Sequence, residues 1–241
     1  MLKMQRYVSN ELTHFVGRDE PDDEAKYALL VRILGTGILT NPQQDEGLHI
    51  KAKKFSENKM FNPKMVCFCD IPVDDFGIHM GKYSKFGLSF SKPFLVQKGA
   101  SPVFYIAMNS VIQTWLHDEN GGGEVEITRG DYFDQMSKEN ERLFWITQVG
   151  EAALRTGVTD EKLLWRDLHR FLAFQVFSFV IFFDEKKSDD DEKNFYMERE
   201  WRVLGSVKFD ISDVSRIVLP GIYGERLRRD FPDYAGQITF V

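Results

Sequence analysis

The chain has 241 residues, 43% apolar and 28% charged, with 21 phenylalanines and a formal net charge of −6. This is the profile of a globular protein with a sizeable core, and it excludes a low-complexity disordered chain; no uninterrupted apolar run reaches the roughly 20 residues of a membrane-spanning helix. The acidic balance supplies no overall field to attract a phosphate backbone, so nucleic-acid binding would need a local basic patch.

In chain order, residues 7–16 read as a short strand closed by Gly17, and an acidic turn follows at 18–23. Residues 24–34 then read as a helix. Asp22 or Asp23 supplies its N-cap, Ala28, Leu29, Leu30, Val31 and Leu34 its apolar positions, and Gly35 and Gly37 its end. The polar, lysine-rich stretch 43–64 reads as a surface loop. Strands are predicted at 65–69, 86–91 and 103–108, with a helical turn carrying Asp74, Asp75 and His79 between the first two. Beyond the turn at Gly121-Gly122-Gly123 the pattern changes to two long helices, 131–156 and 160–177. The most apolar stretch, 171–183, contains Gln175 and reads as a buried helix or a helix followed by a strand. After a charged tract at 184–193, strands return at 194–204, 215–219 and 237–241. Strand-rich ends around a helical middle predict an α+β protein, a single domain over 1–241 with a helical insertion at 109–193.

The two cysteines, Cys67 and Cys69, share one strand. Alternate residues of a strand lie about 7 Å apart, which is too far for an ordinary disulfide. With no apolar signal core at the start of the sequence, a reducing cytoplasm is the expected compartment. Cys67, Cys69 and His79 lack the second ligand pair of a structural zinc site, so no metal is expected, and a thiol in an apolar strand is ordinarily inert. No Walker loop, dinucleotide-binding glycine fingerprint or zincin motif is present.

Three segments carry candidate chemistry. In residues 195–203, FYMEREWRV, strand alternation places Glu198, Glu200 and Arg202 on one face and Met197, Trp201 and Val203 on the other. Such a face is either solvated, with Arg202 satisfying the acids, or lines a cleft in which a carboxylate orients a sugar hydroxyl or stabilises a cationic transition state. In residues 83–92, YSKFGLSFSK, alternation sets Gly87, Ser89 and Ser91 opposite the inward-facing Leu88 and Phe90. That arrangement suits either ordinary strand packing or close approach of a flat ligand. In Thr13-His-Phe-Val-Gly17, His14 ends a strand just before a turn. It is either a structural donor or a neutral ring that donates to a ribose hydroxyl. Arg226, Arg228 and Arg229, beside Tyr223 and Phe231, form either a solvated helix face or a functional patch for a partner protein or nucleic acid.

Taken together, His14 on a first strand, a helix leaving through RILGTGIL, an aromatic- and serine-bearing strand and a late Glu-x-Glu strand resemble the ADP-ribosyltransferase fold. More specifically, residues 65–72 (MVCFCDIP), 83–92 and 99–106 (GASPVFYI), with 198–203, resemble the bacterial abortive-infection AbiGi family. The second resemblance implies a component of a phage-resistance pair, usually named as its antitoxin side. The first implies a split, mixed or antiparallel sheet that takes NAD as substrate. Residue by residue, it makes Glu200 the catalytic acid on the ribose 2′-hydroxyl, and Glu198 the group that orients or deprotonates the acceptor. His14 becomes a ribose contact beside Gly17, and Tyr83 or Phe86 stacks on nicotinamide. Transferase branches pair a histidine first motif with one type of second motif, and here Tyr83 competes with Ser89 and Ser91 for that position. The expected partner is a macromolecular ADP-ribose acceptor or, for a non-catalytic antitoxin, a toxin; no membrane is expected.

Overall fold

The computed structural model describes residues 9–41, 63–107, 110–116, 126–131, 138, 167–168, 170–188, 191 and 194–241. In chain order the described elements are β1 (Glu11–Phe15), α1 (Asp23–Thr36), β2 (Ile38–Leu39), β3 (Met65–Cys69), α2 (Gly77–Lys82), β4 (Gly87–Ser91), α3 (Lys92–Gln97) and β5 (Ser101–Pro102). They continue with β6 (Phe104–Ala107), β7 (Val111–Leu116), β8 (Glu126–Asp131), β9 (Val180–Phe183), β10 (Glu200–Leu204), β11 (Val207–Lys208), β12 (Val214–Leu219), α4 (Gly224–Asp230) and β13 (Gln237–Phe240). The chain divides into two compact units. One comprises Met1–Leu48, Lys64–Val103 and Met197–Val241, and the other His49–Pro63 and Phe104–Tyr196.

The first unit is built on a seven-stranded mixed sheet in the order β13-β12-β4-β1-β3-β10-β5. Every neighbouring pair is antiparallel except β12 with β13. Alternation decides what each face carries. Leu12, Val66, Phe68, Leu88, Phe90, Val203, Ile217 and Leu219 turn to one side and form the main core with Tyr27, Leu30 and Leu34 of α1, Leu95 of α3 and Leu227 of α4. The opposite face carries Thr13, Cys67, Cys69, Ser89, Glu200 and Arg202, since Thr13 pairs with both Cys69 and Ser89, Glu200 with Cys69, and Arg202 with Cys67. A smaller cluster of Cys69, Ile71, Phe76 and Val218, packed by Phe15, Val73 and Met80, seats α2 over this second face.

Local chemistry sets the element ends. The Asp22 carboxylate accepts from Ala25 N at 2.8 Å at the start of α1, and Gly37 (φ 63°) ends it with its N–H on Ile33 O. Ser91 caps α3, with Pro93 in the first turn. Gly17 (φ +84°) turns the chain out of β1, and a Cβ there would lie 2.7 Å from Lys26 Cγ. β1 and β3 share a single paired position, Thr13 with Cys69.

In the second unit, β6 pairs in parallel with β9 and β7 antiparallel with β8. Residues Leu172–Val176 form a π-helical turn and Phe177–Phe179 a 3₁₀ turn ahead of β9, and Phe177, Phe179, Val180, Ile181 and Phe182 are buried. The stretch 171–183 is thus the helix-then-strand alternative.

Several expectations change. Residues 194–204 do not form one strand: Phe195–Glu198 is a 3₁₀ turn and the strand begins at Glu200. Phe104, on the strand expected at 103–108, is 59% exposed. Asp131, expected to open a helix, ends β8; most of the two long helices and of the 43–64 loop lie outside the described residues. α3 was not anticipated as an element, whereas α4 is the helix expected as one reading of Arg226, Arg228 and Arg229.

A buried glutamate pair beneath a short helix

The segment that joins the second face to its cover is the turn before β10. Arg199, at φ 43°, is the one non-glycine residue with positive φ among the described residues. A side chain in the left-handed region is strained, and such strain gathers at sites the surrounding structure over-determines. Here it redirects the chain between Glu198 and Glu200, while Arg199 O accepts from Asp70 N at 3.1 Å. The two carboxylates therefore lie close in sequence without sharing a strand, and both are buried, at 6% and 7% exposure. The solvated reading of this segment is thereby excluded.

Each glutamate has its own cation. Arg202 Nε donates to Glu200 Oε1 at 2.6 Å, and Arg202 is 1% exposed. Lys82 Nζ, from the last residue of α2, meets Glu198 Oε1, and the next residue, Tyr83, donates its hydroxyl to the same oxygen at 2.6 Å. Burial, followed by the Glu198 charge and its hydrogen bond, pushes the Tyr83 phenol well above its ordinary value. The Arg18 guanidinium lies 5.4 Å from the Tyr83 ring centroid, and the His79 ring lies 6.3 Å from it. Cys67, opposite Arg202 in the register, has its thiol raised far from reactivity by burial and then by the Glu200 charge, and Cys69 is raised mainly by burial.

The other expected site residues fall elsewhere. His14 lies at the point where β1 and β3 cease to pair. Its Nδ1 donates to Cys67 O at 2.7 Å and its ring meets Phe68 edge-on at 5.8 Å. With Nδ1–H so engaged and burial lowering its pKa, the neutral ring presents Nε2 as an acceptor, not the donor anticipated from the sequence. By strand alternation His14 and Glu200 point to opposite faces. Ser89 bonds Thr13 at 2.8 Å, and Ser91 is spent on the α3 cap, accepting from Phe94 N at 3.3 Å. Phe86 is fully buried in the core, edge-on to Tyr223 at 5.3 Å, so it offers no ring to a ligand. The Gly17 backbone serves the turn against Lys26.

Sequence reasoning missed Lys82 and left His79 only as a discarded metal ligand. The signal for Lys82 was its place beside Tyr83 at a helix end. The basic cluster near the C-terminus is partly consumed: Arg226 pairs with Glu24 at 2.6 Å and lies over Tyr27, and Tyr223 stacks on Tyr27 at 4.9 Å. Among the described residues no three His, Cys, Asp or Glu side chains gather into a metal-binding group, and no helix is long and apolar enough to cross a membrane.

The fold and site define an α+β protein whose mixed sheet buries a cation-neutralised pair of glutamates on one face. Residues 51–219 match the family model described as abortive phage resistance protein AbiGi, antitoxin, and the chain belongs to the AbiGi family. It is 35% identical over 174 residues to the Abortive phage resistance protein AbiGi of Lactococcus lactis subsp. cremoris, a match spanning 70% of this chain and 61% of that protein. Among solved structures, it is similar to Thermus sp. 2.9 DarT in complex with ADP-ribosylated ssDNA, with a TM-score of 0.38, 14% identity, and 99% of this chain and 98% of that one covered.

Proposed function

We propose that this chain is an abortive-infection component that uses NAD as substrate and transfers ADP-ribose to a macromolecule, with the second face of its sheet as the reactive surface. The supporting observation is the pair Glu198 and Glu200, both buried, each held by a cation, and separated by a strained residue. Burying two charged pairs gives little or no net stability compared with an apolar core, so their presence here points to chemistry more than to folding.

In this reading Glu200, oriented by Arg202, accepts a hydrogen bond from the ribose 2′-hydroxyl and stabilises the positive charge that develops at the anomeric carbon. The bond from that carbon to the nicotinamide nitrogen breaks and its electron pair leaves with nicotinamide. Glu198 receives the proton of the acceptor as its oxygen or nitrogen bonds to the same carbon. Tyr83 and Lys82 keep Glu198 in place beforehand. His14 has a positioning role, fixing the Cys67 carbonyl on the strand that carries Arg202's partner. The split-sheet assignment, the single domain with an inserted segment at 109–193, and a cytoplasmic location belong to the same proposal.

A second reading, a non-catalytic antitoxin that binds a toxin, is favoured by the family's description. The two separate on nicotinamide release from NAD, measured for the wild-type chain and for Glu200→Gln. Release by the wild type that the variant loses supports transfer, and no release by either supports the antitoxin reading.

A further inference from the structure

His79, on the middle turn of α2, is 4% exposed, and neither of its ring nitrogens has a hydrogen-bond partner. Buried polar groups are almost always satisfied, and an unsatisfied one costs stability. Its ring lies between Phe15, stacked at 6.3 Å, and Tyr83 at 6.3 Å. Tyr83 donates its hydroxyl to Glu198, and Lys82, three residues beyond His79 on the same helix, meets the same carboxylate oxygen. The orphaned imidazole therefore belongs to the cluster that holds Glu198, although nothing in that cluster bonds to it.

We propose that His79 is a ligand-binding residue of this site, and that it and Glu198 together take a sugar hydroxyl, the imidazole N–H donating to the hydroxyl oxygen and the hydroxyl donating to the carboxylate. This rests on the proposed NAD reading for the identity of the sugar. A hydroxyl supplies one donor and one acceptor, which matches a neutral imidazole on one side and a carboxylate on the other. Burial holds His79 below its ordinary pKa and so favours the neutral form. His79 is carried by α2, six residues long with glycines at 77 and 81, where an added Cβ would meet nothing within 4 Å. Packing does not require either glycine, and both weaken the helix, so the segment carrying Lys82 and Tyr83 can shift to admit the hydroxyl.

The test is calorimetric titration of the folded chain with ADP-ribose and, separately, with NAD, for the wild type, His79→Leu and His79→Gln, with each protein's melting temperature measured without ligand. The expected result is that His79→Leu melts at the same temperature as wild type or higher, because two orphaned nitrogens are gone, yet binds ADP-ribose at least tenfold more weakly. His79→Gln, which keeps a donor and an acceptor, should bind within about threefold of wild type. Unchanged ADP-ribose affinity in His79→Leu would overturn the assignment, as would a wild type that binds neither ligand. Should His79→Leu fail to fold, the assignment is decided by His79→Gln against His79→Phe. A wild type that binds ADP-ribose through His79 but leaves NAD intact sinks the transfer reading alone and leaves this one standing.

Discussion

Arg202 sits 1% exposed beside a carboxylate, in a position where an apolar residue would cost the fold less. Removing one partner of a buried ion pair leaves the other charge stranded, whereas removing both does not. Arg202→Met should therefore lower unfolding free energy by about 3 kcal/mol or more, and Arg202→Met with Glu200→Met should recover most of that loss. Urea denaturation checks it: equal stability of the two variants would mean that the pair is not coupled. At this scale the sequence was half legible. Glu198, Glu200 and Arg202 could be singled out from FYMEREWRV, but not their burial, because alternation cannot foresee a 3₁₀ turn and a left-handed Arg199 inside a run that reads as strand. Phe86 misled for a related reason. It precedes β4 by one residue, and its ring turns into the core against Tyr223.

Among the elements, β4 was readable residue by residue. Leu88 and Phe90 face the core, and Gly87, Ser89 and Ser91 the other side, as its alternation requires. α1 was readable because its caps are strong: Asp22 at the start and Gly37 at the end. α3 carries an equally plain start signal in Ser91 and Pro93, but it directly continues a strand, and the strand pattern concealed it. Since the Ser91 hydroxyl accepts from Phe94 N, Ser91→Ala should lower stability by about 1 kcal/mol. A variant melting at the wild-type temperature would show that the cap contributes nothing. α2 lacks such signals. It has no side-chain cap and two glycines in six residues, so its tertiary contacts, the cluster of Phe76, Met80 and Phe15 and the Lys82–Glu198 pair, hold it in place.

Across the whole molecule, sheet order is where sequence reading ended. The strands could be placed along the chain, but the neighbours β1, β3 and β10 come from three distant segments, and no local pattern states that Thr13 and Glu200 both pair with Cys69. That non-local pairing creates the site, and the fold also half-buries His14 and buries His79. His14 and His79 both lie below their ordinary pKa of 6.5, chiefly through burial. A base with a depressed folded-state pKa is protonated first in the unfolded chain. Stability is therefore complete above about pH 6.5 and declines as pH falls from there toward the folded-state values, by up to about 1.4 kcal/mol per pH unit for each group. Urea midpoints should fall between pH 7.5 and 5.5, and His79→Leu should make that fall shallower; midpoints that stay level over this range would refute it. The account's central claim, that the glutamate face acts on NAD, is tested most directly by nicotinamide release from NAD in the presence of wild-type chain and of Glu200→Gln, both shown to be folded by circular dichroism. The account predicts release by the wild type and a loss of at least about 100-fold in the variant, the scale of removing one group that stabilises a charged transition state. Equal rates from the two proteins would contradict it.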